Sequence, residues 1–167
     1  MTIATNDIRR LPGLLHLLHS EVCRRSGGRG LQELHDLGLS MPQVIAMHVL
    51  LQTSDASRPE TDGLGMHALG EALHLSPSAI TTLVDKLVER HLVERWENPG
   101  DRRQKQVRLR PAGIELLDRM TRSRATEFSE ALADIDPTLQ IELLDVLQRV
   151  VNALGTPAPN CVKPPEF

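Results

Sequence analysis

The sequence predicts a mainly α fold with one small β-hairpin, and three observations carry the prediction. Two Phe, one Trp and no Tyr supply all the aromatic rings of 167 residues, so the core is aliphatic, which suits packed helices better than a sandwich. Apolar residues recur at helical spacing through most of the chain. The exceptions are two short strand-like runs, LVERW (92–96) and KQVRL (105–109), around a loop that contains Asn98, Pro99 and Gly100. The length fits one domain, or a domain with extensions.

Each element has its own warrant. Leu11, Leu14, Leu15, Leu18 and Val22 line one face of a helix over 7–25, which RSGGRG ends. A short second helix fits 31–36. Ser40, Met41 and Pro42 give a cap and an early proline to a helix that runs to Gln52. Its apolar residues nearly encircle it, which predicts a central, buried position. Residues 53–63 have loop composition, and a short helix over 65–73 follows. His74 and Leu75 turn the chain, and Ser76-Pro77 start a helix to about residue 90 that buries Ile80, Leu83, Val84 and Leu87. After the hairpin, a long helix spans 111–133. Asp136-Pro137 opens the last one, whose Leu143, Leu147, Val150 and Leu154 make a seam. TPAPNCVKPPEF is read as a mobile tail.

The bulk numbers exclude several classes. No apolar run approaches the roughly 18 residues of a membrane span, and MTIATNDIRR lacks a signal peptide's apolar centre, so a cytoplasmic protein with no membrane partner is expected. Cys23 and Cys161 are far apart and suggest no structural disulfide. The net charge of −3 conceals a division: residues 76–110 hold eight Lys/Arg against five Asp/Glu, and 111–154 hold four against eight. A locally basic segment can bind phosphate despite an acidic average, because screening makes nearby charges count most. There is no phosphate loop, nucleophile motif or isolated carboxylate pair, which argues against an enzyme, and no cofactor is expected.

The stretch from Leu75 to Gly113 runs helix, hairpin with a charged tip, helix, which is the order of a winged helix-turn-helix. The outer face of the helix at 77–90 starts with small hydroxyl residues. Ser78, Thr81 and Thr82 occupy the turns that usually meet base edges, with Ser76 at the cap and Lys86 one turn on, within reach of a phosphate. A Ser/Thr-rich face alone is as often a solvated one. The hairpin changes the balance, because Arg102, Arg103 and Lys105 put long cations beside that helix, suited to a minor groove or the backbone. Asp101 is read as shaping the loop by pairing with a nearby arginine. The partner predicted is double-stranded DNA.

Asp101, Arg103, Leu109 and Gly113 also match the spacing of the wing signature of the MarR family of bacterial transcriptional regulators, and the chain resembles that family most closely over 64–117. It departs in three places. Arg110 stands where the family has a helix-capping threonine, a loss of about 1 kcal/mol. His91 stands where the family has glycine, so it must accept a strained turn or end the helix differently. The loop 53–63 is long.

The resemblance implies a homodimer built on N- and C-terminal dimerisation helices. Its organisation would be 1–38 for the first two helices, 39–110 for the winged DNA-binding lobe, 111–155 for the C-terminal dimerisation helices and 156–167 for the tail. The apolar stripes of the first and last helices support this independently. A ligand-responsive repressor on a pseudo-palindromic operator is the function implied, with Leu15, His16, His19, Leu34, His35, Met47 and Met66 lining the cleft for a small-molecule effector. Met and Leu at such spacing are more often plain core.

Two variants of the same fold remain open, a thiol sensor through Cys23 and a metal sensor through His16, His19, Cys23, His35 and His48. A helical His pair is ordinarily not a ligand set, so no metal is assigned. A further class is a winged helix that binds protein instead of DNA.

Overall fold

The computed structural model describes residues 9–53, 63–98 and 100–155, with the side chains of Leu31, Arg102 and Arg103 outside the described set. The elements are α1 (Leu11–Arg25), α2 (Arg29–Asp36), α3 (Met41–Thr53), β1 (Leu64–Gly65), α4 (Met66–Ala72), α5 (Pro77–Glu89), β2 (Val93–Asn98), β3 (Asp101–Leu109), α6 (Pro111–Leu132) and α7 (Pro137–Ala153). The chain divides into two compact units, a lobe of residues 34–120 and a second unit made of 1–33 with 121–167. The first ten residues of α6 go with the lobe. The expected loop 53–63 and the tail 156–167 lie almost wholly outside the described residues.

The lobe is built around one aliphatic cluster. Val44, Ala46, Met47 and Leu50 come from α3, Leu69 from α4, Ile80, Leu83, Val84 and Leu87 from α5, Val93 and Val107 from the hairpin, and Leu116 and Leu117 from α6. Full burial of a side chain such as Met47, Leu69 or Leu87 stabilises by about 2 kcal/mol. The expectation that α3 is buried all round is corrected: Met41, Ile45 and Leu51 are exposed, while Gln43 is buried. Gln43 is tolerated because its carboxamide oxygen accepts hydrogen bonds from the Ser40 N–H and Oγ, at 2.8 and 3.1 Å. With Ser40 as the cap, that is one arm of a capping box closing the start of α3.

The sheet has three antiparallel strands in the order β1-β3-β2. β2 pairs with β3 from Val93↔Leu109 to Glu97↔Lys105, and the register then shifts to Asn98↔Asp101. Two differences from the sequence reading follow. β3 starts at Asp101 rather than at 105, so Arg102 and Arg103 belong to the strand, and β1 adds a third strand opposite Val107 and Gln106.

Three helices end in the same way. The N–H three positions past the last helical residue bonds back five residues, and the residue before it takes a positive φ: Gly38 after α2, His74 after α4 and His91 after α5. His91, at φ 58°, confirms the strained turn expected there. The left-handed region costs an L-residue about 1–2 kcal/mol, and glycine's greater unfolded-chain entropy returns part of that. His91→Gly should therefore stabilise the lobe by about 0.5–1 kcal/mol, seen as a melting temperature raised by about 1–4 °C.

In the second unit, α1 buries only Val22, and Leu11, Leu14, Leu15 and Leu17 are exposed. Arg25 bonds the Ala131 carbonyl and Asp134, and Arg29 pairs with Glu130. α7 opens with the expected cap, Asp136 accepting from the Thr138 and Leu139 N–H groups, and contains no buried residue. Among the described residues, no helix is long and apolar enough to cross a membrane.

Candidate nucleic-acid interface

α5 is positioned from both ends. Ser76 Oγ accepts from the Ala79 N–H at 3.3 Å and Pro77 presets the first turn. At the other end, the Leu92 N–H returns to the Leu87 carbonyl at 3.0 Å. With Ile80, Leu83, Val84 and Leu87 in the core, the opposite face is fixed outward, and Ser76, Ser78, Thr81, Thr82 and Lys86 are all exposed on it.

The hydroxyls on that face are already oriented. Thr81 Oγ1 donates to the Pro77 carbonyl at 2.8 Å and Thr82 Oγ1 to the Ser78 carbonyl at 3.1 Å, while the Ser76 and Ser78 oxygens lie 3.2 Å apart. A threonine whose proton is committed inward offers an acceptor oxygen and a methyl group. That pair suits a base-edge amine or a thymine methyl.

An ion pair joins this helix to the hairpin: Arg95 Nη1 on β2 lies 2.6 Å from Asp85 Oδ1. Neither residue was among the predicted site residues. The two are distant enough in sequence that only the folded-back strand brings them together. On the other face of the sheet, Arg108 pairs with Glu94 and stacks on Trp96, 5.1 Å from the ring centroid. At the tip, the Gly100 N–H bonds Asn98 Oδ1 at 2.9 Å, and Gln104 Nε2 donates to Asp101 at 3.3 Å. Lys105 is exposed, and the backbone of Arg102 and Arg103 continues β3 from Asp101.

Sequence reasoning also missed Ser40 as part of this surface. Ser40 and Gln43 of the α3 start border an open cavity of about 320 Å³ with Thr82 and Lys86. The capping pattern had marked Ser40 only as a helix start. On the other side of α5, an apolar cavity of about 550 Å³ runs under Pro77 and Thr81 and takes in Met66, His67 and His74. Met66 is its one member among the seven ligand candidates.

The other ligand candidates divide between the two units. Leu34 and Met47 belong to the closed core of the lobe, and His35 is exposed there. Leu15, His16 and His19 are exposed along α1 in the second unit. Cys23 Sγ lies 3.5 Å from His19 Nε2. Arg24 and Arg25, the next two residues, are both bonded to Glu21, and they hold its carboxyl down at about 2. Among the described residues, no three His, Cys, Asp or Glu side chains come together as a metal ion would need.

Comparison with known proteins agrees with this geometry. Residues 60–105 match the model of the MarR family. The chain is 28% identical over 93 residues to YhbI, an uncharacterized HTH-type transcriptional regulator of Bacillus subtilis, a match covering 56% of this chain and 58% of that one. The chain spans between 54% and 60% of the length of the curated relatives it matches. Among solved structures, a MarR family protein from Bacillus stearothermophilus superposes with a TM-score of 0.63 at 19% identity, over 93% of this chain and 100% of that one. A mutant S. aureus MepR bound to an oligodeoxyribonucleotide gives 0.56 at 16% identity, over 92% and 99%.

Proposed function

We propose that the chain is a cytoplasmic transcriptional regulator of the MarR family, whose model its residues 60–105 match. It binds double-stranded DNA as a homodimer on a pseudo-palindromic operator and represses until a small molecule releases it. The observation that carries the reading is α5: its apolar face is locked in the core, and its outward face presents Ser78, Thr81, Thr82 and Lys86, tied through Asp85–Arg95 to a basic hairpin. On this reading Ser76, Ser78, Thr81 and Thr82 meet the major groove. Lys86, Arg102, Arg103 and Lys105 meet phosphates or the minor groove, and Asp101 shapes the tip. The exposed apolar residues of α1 and α7 support the dimer. A regulator of this family performs no catalysis.

The test is fluorescence-anisotropy binding to the DNA upstream of its own gene across a salt series. Wild type should bind that fragment more tightly than random DNA, with affinity falling steeply as salt rises. Arg103→Ala should weaken binding at least tenfold. A two-fold complex loses the contact twice, so the slope of log K against log salt should fall by about 2. No binding to any DNA at low salt would remove this reading and favour a protein-binding winged helix.

A further inference from the structure

The outward turns of α5 carry few of the side chains that ordinarily tell one base pair from another. The sequence of the helix, PSAITTLVDKLVE, holds no Arg, Asn or Gln, the residues that make forked contacts to guanine or adenine. Asp85, whose carboxylate could accept from a cytosine amine, is held by Arg95 Nη1 at 2.6 Å. The Ser78 oxygen lies 3.2 Å from that of Ser76, and Lys86 is placed to meet a phosphate. What remains in the middle of the face is Thr81 and Thr82, both exposed.

The two threonines share one geometry. Each directs its hydroxyl proton back along the helix, Thr81 to the Pro77 carbonyl at 2.8 Å and Thr82 to the Ser78 carbonyl at 3.1 Å. With that proton committed, the oxygen accepts but does not donate, and the methyl group is all else that the side chain presents. A guanine opposes such a surface with two acceptors, N7 and O6, and could be met only by breaking the bond to the carbonyl. Its partner cytosine offers an amine but no methyl group. An A·T pair in either orientation offers both complements, the adenine N6 amine for the oxygen and the thymine methyl for the methyl.

Resting on the DNA-binding function proposed above, we propose that Thr81 and Thr82 are specificity-determining residues that select A·T pairs in the sequence they face, through contact of their methyl groups with thymine methyls. Guanine is excluded by the same committed protons.

The experiment selects duplexes from a randomised library with the full chain. Binding to the selected duplex is then measured by fluorescence anisotropy with each thymine in turn replaced by deoxyuridine, which lacks only the methyl group. Wild type should enrich A·T pairs, and deoxyuridine at the thymines facing α5 should weaken binding about fourfold each, the effect of one buried methyl group. Thr81→Ser with Thr82→Ser deletes the protein's methyl groups and keeps both hydroxyls. In that variant the same replacements should change nothing, since the contact they remove is already gone. Both threonines are exposed, so the variant should keep the wild-type circular dichroism spectrum and the salt-dependent binding to random DNA. Lys86→Ala should weaken every duplex alike and leave the deoxyuridine effect intact. Guanine selected at these positions, no deoxyuridine effect in wild type, or an equal effect in the serine variant would each overturn the assignment and leave DNA binding standing. A chain that binds no duplex at low salt would overturn both.

Discussion

Replacing Gly113 by alanine should destabilise the protein by about 2–3 kcal/mol and lower its melting temperature by about 4–10 °C, although alanine is the better helix former. Gly113 lies in the first turn of α6, where helix propensity alone would favour alanine by about 1 kcal/mol. Space decides the opposite. A Cβ at this position would stand 2.3 Å from the Leu92 carbonyl oxygen and 3.0 Å from Leu109 Cδ2. The Leu92 oxygen is backbone, and it accepts the Arg110 N–H at 3.0 Å, so moving it away breaks the bond that seats the start of α6. Overpacking of this kind costs about 1–3 kcal/mol and more where a hydrogen bond goes with it.

Gly13 is the internal control. It too is helical, but nothing lies within 4 Å of its Cβ position, and Gly13→Ala should stabilise by up to about 1 kcal/mol. Urea unfolding of the two variants beside wild type reads both signs in one experiment. A Gly113→Ala protein as stable as wild type would mean that α6 does not pack on Leu92 as closely as the structure has it.

Gly113 also shows why the wing signature was legible and other features were not. The signature residues sit where local geometry leaves one choice: Gly113 under a backbone contact, Leu109 against it, Asp101 at the hairpin turn. Such constraints leave a fixed spacing in the sequence. His91 was readable for the same reason, as an L-residue at a position that asks for glycine.

β1 is two residues long and has no periodicity to detect. Gln43 interrupts the apolar count of α3, and its burial becomes intelligible only with Ser40 bonded to it. The Asp85–Arg95 pair depends on β2 folding back along α5, a matter of topology rather than spacing. Glu127 is buried on α6 but stands in SRATEFSEA, a run that reads as a solvated helix face, and nothing in that run distinguishes it from the exposed Glu130. What an isolated helix or turn dictates was visible in the sequence, whereas what two elements do to each other was not.

The largest expected effect belongs to α7. Leu144→Asp with Leu147→Asp should convert a dimer into a monomer. This 17-residue helix carries Leu139, Ile141, Leu144, Val146, Leu147 and Val150, with Leu154 at its C-cap, all at least 45% exposed in the single chain. Single exposed leucines need no explanation, but a contiguous apolar face along a whole helix does. If a second copy covers it, two-fold symmetry places each substitution in the interface twice. Four leucines at about 1.5 kcal/mol each amount to about 6 kcal/mol, a factor of about 10⁴ in the dissociation constant. Neighbouring sites are not additive, but half that energy still leaves a factor of about 10². Both side chains are exposed in the single chain, at 67% and 45%, so the variant should keep its helical circular dichroism spectrum.

Sedimentation at micromolar concentration distinguishes the states. Wild type should run as a dimer whose melting temperature rises with protein concentration, and the variant as a monomer whose melting temperature does not. A wild-type chain that sediments as a monomer at every concentration would remove the homodimer from the proposed function, and with it the two-fold operator. The α5 reading would survive that result. A single lobe would still meet DNA, with half the phosphate contacts and a correspondingly shallower salt dependence.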